Sequence, residues 1–354
     1  MDAITIQILR NKVASLIDEM HYHFYRSGYS TIIRESRDFS CVILDREGRL
    51  IVAPPMFFHA PVYRHLVRRI LEVYGGERAI KAGDVFVSNH PYEGGLPHVS
   101  DMAFLAPVFA AGEIVAFAGS IAHKADVGGA VAGSTSADAT EMFQEGLLVP
   151  PIKIVEAGVG QSDVERIILT NSRQPALMRG DIQAQIAVTQ MGAQRVKELC
   201  DRFGAGTVME AFAAILKAAA DELRASVARL PEGESSAEGL LDSDGVVIDH
   251  PVKLAVTIAV KDGIASFDFS NSDPQARGPV NLRPSMVEAC VFYALIGCLG
   301  PNLHFNDGMR DVVRLTYAPR TVTNADPPAP VSNYQMVTMA VAWDTTAPAP
   351  PPRI

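Results

Sequence analysis

Apolar positions recur every three to four residues near the start of the chain. Leu9, Val13, Leu16, Ile17, Met20 and Phe24 fall on one face, and Arg10, Lys12, Asp18 and Glu19 take the other. That spacing predicts an amphipathic helix over 4–28, stopped at Gly28. The same period predicts helices over 61–74, 163–173, 179–203, 207–229 and 284–299, with Pro61 suited to a first turn. Two β-type runs flank Asp45-Arg46-Glu47-Gly48 in 41–53 and predict a hairpin. A short strand is expected at 85–88. Residues 103–122 carry one charge, Glu113, and have the length of a membrane span. Pro107 and the Ala110-Ala111-Gly112-Glu113 stretch interrupt them, so two buried strands joined by a tight turn are expected instead. From 239 to 271 the pattern alternates in the β manner, with turns at 242–245 and 261–263.

These elements imply an α+β chain with mixed α/β character: an N-terminal helix, hairpins and a helical layer, then a β-rich segment. Pro231 to Ser236 reads as a linker, which divides the chain into a domain over 1–231 and a second over 232–345. Residues 346–354 are Pro-rich and read as a disordered tail.

Composition narrows the class. The 354 residues are 48% hydrophobic and 20% charged, ordinary globular values. Against 31 basic residues stand 40 acidic ones, a formal charge of −9 that argues against a nucleic-acid binder. The four cysteines, Cys41, Cys200, Cys290 and Cys298, show no CxxC spacing. That fits a reducing compartment, and the cytoplasm is the expected location. No phosphate loop and no strand–GxGxxG–helix unit is present, so no nucleotide site is expected on this chain.

The candidate chemistry sits at the open end of the 103–122 hairpin. His98-Val99-Ser100-Asp101 precedes it, and His123-Lys124-Ala125-Asp126 follows it. A turn centred on 110–113 pairs Phe109 with Ile114. Carried down the strands, this places Asp101 opposite Ala122, Ser100 opposite His123, and His98 near Ala125, with cross-strand neighbours about 5 Å apart. Two imidazoles with one or two carboxylates would suit Zn, Mn or Fe(II) with open positions. The alternative is that both H-x-x-D patterns cap turns. Glu141 and Glu145 are further candidate carboxylates, as ligand or general base. Arg37-Asp38 reads as a structural pair. His59, in an apolar loop, reads as packed.

At these residues the chain resembles the hydantoinase B/5-oxoprolinase family, which also includes subunits of acetone and acetophenone carboxylases. Eight motifs carry the resemblance in the family's order: RESRDFSCVILDREGRL (34–50), NHPYEGGLPHVSD (89–101), AHKADVGGAVAGS (122–134), EMFQEGLLVPPIKI (141–154), RGDIQAQIAV (179–188), FDFSNSDPQARGPVN (267–281), NDGMR (306–310) and NADPPAPVS (324–332). The resemblance implies that His98, Asp101 and His123 are metal ligands and that Asp126 lies close to them. It implies a two-part enzyme. A hydantoinase A-like partner binds ATP and activates the substrate, and the chain resembling this one holds a divalent metal (Zn, Mn or Fe) and completes the reaction.

The expected function is therefore the metal-bearing subunit of an ATP-dependent hydrolase that opens a cyclic amide, with Asp126 or Glu145 moving the proton. The expected assembly is a hetero-oligomer, with a small-molecule substrate and neither nucleic acid nor membrane as partner. A ketone carboxylase subunit and an inactive scaffold are the rival readings. The sequence departs from the family at His90 and Lys124. The motifs fade after Ser332, so the chain is read as C-terminally truncated.

Overall fold

A computed structural model describes residues 2–54, 58–75, 80–300 and 303–335. The Pro-rich tail expected at 346–354 lies outside them. The first helix, α1 (Ala3–Ser27), is capped by the Asp2 side chain, which accepts the Thr5 N–H at 2.9 Å. Its six buried residues are those of the apolar stripe. Helix α2 (Ala60–Tyr74) buries a broad stripe that includes Tyr63, Leu66, Val67 and Ile70.

Six antiparallel strands form the main sheet. They are β1 (Phe39–Asp45), β2 (Val85–Ser88), β3 (Asp101–Ala110), β4 (Glu113–His123), β5 (Ile152–Glu156) and β6 (Val159–Gly160), in the order β1-β4-β3-β2-β5-β6. Strand β1 is buried along its whole length, because both faces of the sheet are covered. Cys41 and Ile43 pack with α1, while Val42 and Leu44 pack with α2 on the other side. Three helices follow: α3 (Ser162–Thr170), α4 (Pro175–Phe203) and α5 (Ala205–Val227). Helices α4 and α5 share the layer of α1.

The second sheet has the order β10-β9-β8-β7, formed by β7 (Gly233–Leu241), β8 (Val252–Lys261), β9 (Ile264–Asp268) and β10 (Val313–Thr316). Strand β10 runs parallel to β9, and the other pairs are antiparallel. Helix α6 (Pro284–Leu299) lies between β9 and β10 in sequence. One apolar cluster joins Tyr63, Leu66 and Phe86 to Phe267, Val287 and Phe292. It therefore draws on residues from both sides of position 231. Among the described residues, no single helix is long and apolar enough to cross a membrane.

Three local expectations change. Residues 233–236 belong to β7 rather than to a linker. Gly, Ser and Glu dominate there because β7 is an exposed edge strand, held by a nine-residue ladder to β8 and a Ser236–Thr257 hydroxyl contact of 3.1 Å. The second arm of the 41–53 hairpin is a single Leu44–Leu50 bridge. The Asp45 carboxylate closes that turn by accepting the N–H groups of Glu47 and Arg49. The 103–122 hairpin forms, but its register shifts by one residue between Val108 and Phe109. Phe109 pairs with Ile114 as expected. Val108 then pairs with Ala116, so every position below is displaced.

Candidate metal centre

The bulge decides the geometry of the hairpin's open end. It places Asp101, at the start of β3, directly opposite His123, at the end of β4. The unbulged register would have put Ala122 there. His98 comes from the turn just before β3, where the Asp101 N–H reaches the His98 carbonyl at 3.3 Å. Asn89 pins this turn from beneath. Its amide donates to the Val99 and Leu147 carbonyls, and its side-chain oxygen accepts the Val149 N–H. His90 caps the preceding loop through Nδ1, which accepts the N–H groups of Tyr92 and Glu93.

His98, Asp101 and His123 each offer a donor atom within 4.8 Å of the others. His98 Nε2 lies 3.3 Å from Asp101 Oδ2, and His123 Nδ1 lies 3.5 Å from Asp101 Oδ1. His98 and Asp101 are each 1% exposed, and their facing atoms, Nε2, Oδ1 and Oδ2, make no hydrogen bond. Buried polar atoms are rarely left so, because each costs about 1–3 kcal/mol. Ligands bonded to one cation at about 2.0–2.2 Å sit about 3.0–3.5 Å apart. The donor set therefore fits a divalent cation better than it fits a hydrogen-bonded triad.

The tautomer of His98 follows from its other nitrogen. Nδ1 lies 3.2 Å from the Ser332 carbonyl, which can only accept. Nδ1 therefore carries the proton, and the Nε2 lone pair faces Asp101. The Tyr334 ring packs edge-on against His98 at 4.9 Å between centroids. Burial pushes the Asp101 carboxyl up, but the flanking imidazoles of His98 and His123 outweigh it and hold the group well below the usual carboxylate range. Burial likewise pulls His98 down, and Asp101 outweighs it, so His98 is raised. His123 is 18% exposed and the neighbouring Asp38 side chain 42%, so the centre opens to solvent on that side.

Glu145 is tied to the segment that holds His98. Its Oε1 accepts the N–H groups of Val331 and Ser332, both at 2.6 Å, while Oε2 is buried without a partner. It thereby fixes the segment whose Ser332 carbonyl holds His98. Burial pushes the Glu145 carboxyl up to about 7, against the pull of those N–H groups and of His98.

Asp126 stands differently. Its Oδ1 accepts the N–H groups of Gly128 and Arg173, and its Oδ2 accepts the Gly133 N–H and the Arg173 guanidinium. Both oxygens are spent on closing the 126–134 loop. Burial raises its carboxyl, but the donors, Arg173 first, hold it below the usual value.

One residue that spacing did not single out joins the centre, and another lies next to it in sequence. His59 is packed, as the apolar loop suggested, yet its Nε2 sits 3.6 Å from Asp101 Oδ2. Its signal was only a histidine just before a predicted helix. Lys124 is fully buried beside His123, with its amine on the Gln185 side-chain oxygen, and burial lowers it to about 8.

The comparisons with known proteins agree with the motifs. The profile of the Hydantoinase B/oxoprolinase family matches residues 2–350, continuing past Ser332 where the recognisable motifs fade. The B-type component of a putative D-/L-hydantoinase from a Pseudomonas strain is 31% identical over 347 residues, covering 93% of this chain and 58% of that protein. The ATP-dependent caprolactamase of Pseudomonas jessenii superposes with a TM-score of 0.89 at 25% identity, over 99% of this chain and 61% of the other. Acetone carboxylase in its nucleotide-free form superposes at 0.82 with 17% identity, over 94% of this chain and 46% of the other, a likeness of fold. The chain thus spans a little over half the length of the curated relative it matches. It belongs to the hydantoinase B/oxoprolinase family.

Proposed function

We propose that this chain is the metal-bearing subunit of an ATP-dependent hydrolase that opens a cyclic amide of the hydantoin or 5-oxoproline type. It would act on a substrate activated by a hydantoinase A-like partner, which would bind the ATP. The observation that carries this reading is the buried His98–Asp101–His123 cluster, whose facing donor atoms make no hydrogen bonds. The names of the relatives support the reaction class.

In this reading His98, Asp101 and His123 would hold a divalent cation (Zn, Mn or Fe), which when bound supplies Lewis-acid activation. Ser332 fixes the His98 tautomer, so its lone pair is always presented. Glu145 handles the proton: its free Oε2 is poised near neutrality, and its Oε1 anchors the segment that braces His98. Asp126 shapes the Gly-rich loop beside it through Arg173. The exposed flank at His123 and Asp38 is the entry for the ring.

The test is reconstitution. The chain is co-expressed with a hydantoinase A-like subunit and assayed with ATP on hydantoin, 5-oxoproline and caprolactam. Ring opening that needs both subunits supports the proposal. Incorporation of labelled bicarbonate into a ketone, with no ring opening, would replace it by the carboxylase reading.

A further inference from the structure

A cavity of about 270 Å³ is lined by Arg64, Glu288, Phe292, Arg310, Leu315 and Tyr317, among others. None of its lining residues belongs to the metal centre. Its volume is just below that of drug-sized pockets, so its occupant is small.

The polar side of the cavity is built. Arg310 donates through Nε to Asp307 at 2.7 Å, and its Nη1 pairs with Glu288. Asp307 spends its other oxygen on the Leu50 N–H. The remaining Arg310 nitrogen, Nη2, is buried and makes no hydrogen bond, and neither does the buried Nε of Arg64. Burial and the neighbouring Arg310 lower Arg64, the mark of a cation short of a counter-charge. The rest of the wall is apolar: Phe292, Val313, Leu315 and the Pro284 ring.

The charges decide the valence of the ligand. Asp307 offsets Arg310, which leaves Arg64 against Glu288. Both acids already pair with Arg310. A singly charged anion meets them with less repulsion than a dianion would. We propose that this cavity binds a small aliphatic monocarboxylate. Its carboxylate would lie on the Arg64 guanidinium, and its alkyl body on Phe292 and Leu315.

Calorimetric titration of the full chain with isovalerate tests this, with isovaleramide and inorganic phosphate as comparison probes. The expected result is saturable isovalerate binding with a Kd of about 1 mM and no saturable binding of the amide. Arg64→Ala, at a partly exposed position, should weaken it about tenfold while the protein stays folded. The same titration of Asp101→Asn should be unchanged, since that residue lies in the metal centre. Equal binding of the amide, tighter binding of phosphate, or indifference to Arg64→Ala would overturn the proposal. So would loss of binding in Asp101→Asn, which would place the ligand on the metal centre instead.

Discussion

Asp101 and His123 face each other across the β3–β4 ladder, with 3.5 Å between carboxylate and imidazole. One extra residue in β4, near the turn, is what brings them opposite. The bulge lies about eight residues from the centre, yet it sets which side chain stands beside Asp101. Because side chains alternate along a strand, a one-residue slip would turn His123 to the other face.

Glu145 gives the pH dependence its sign. Its folded value, about 7, lies above the usual glutamate value of about 4.3. Between the two, the folded chain holds a proton that the unfolded chain has lost. The associated stability is therefore full at low pH and is lost as pH rises through about 7. Proton abstraction needs the ionised form, so kcat/KM of the reconstituted enzyme should climb through the same region. In Glu145→Gln the climb should vanish and the rate fall by about 100-fold or more. A pH–rate profile of both proteins checks it.

Asp126 should behave as a structural residue. Asp126→Ala strips a partner from the N–H groups of Gly128, Gly133 and Arg173. The expected cost is about 1–3 kcal/mol, since Arg173 is half-exposed and its charge partly screened. Denaturant unfolding measures the loss. Metal content at low temperature should match that of the wild type.

Gly129 sits behind Glu145. Its φ is +82°, and a Cβ there would lie 2.6 Å from the Gln144 carbonyl oxygen and 2.7 Å from the Glu145 carbonyl carbon. Backbone cannot yield as a side chain does, so Gly129→Ala should displace Glu145. The expected outcome is about tenfold or greater loss of turnover with metal binding retained, read by assay and elemental analysis on the same sample.

Much of this was legible in the residues. The apolar stripe of α1, the helix over Ala60–Tyr74 and the turn of the long hairpin follow from period alone. Four features were not. The bulge leaves no mark in the alternation, because both strands are apolar on both faces. Strand β7 reads as a linker because its outward residues are small and polar. His59 reaches Asp101 through tertiary packing that no local spacing encodes. Ser332, which fixes the His98 tautomer, is 234 residues away in sequence.

We propose that His98, Asp101 and His123 together hold a divalent cation. Elemental analysis of the purified chain, beside Asp101→Asn, tests it most directly. The substitution keeps the shape of the side chain and removes its charge. The expected result is about one divalent metal per chain in the wild type and less than about 0.2 in the variant, with circular dichroism unchanged. Equal metal in both proteins, or none in either after growth in metal-supplemented medium, would contradict it.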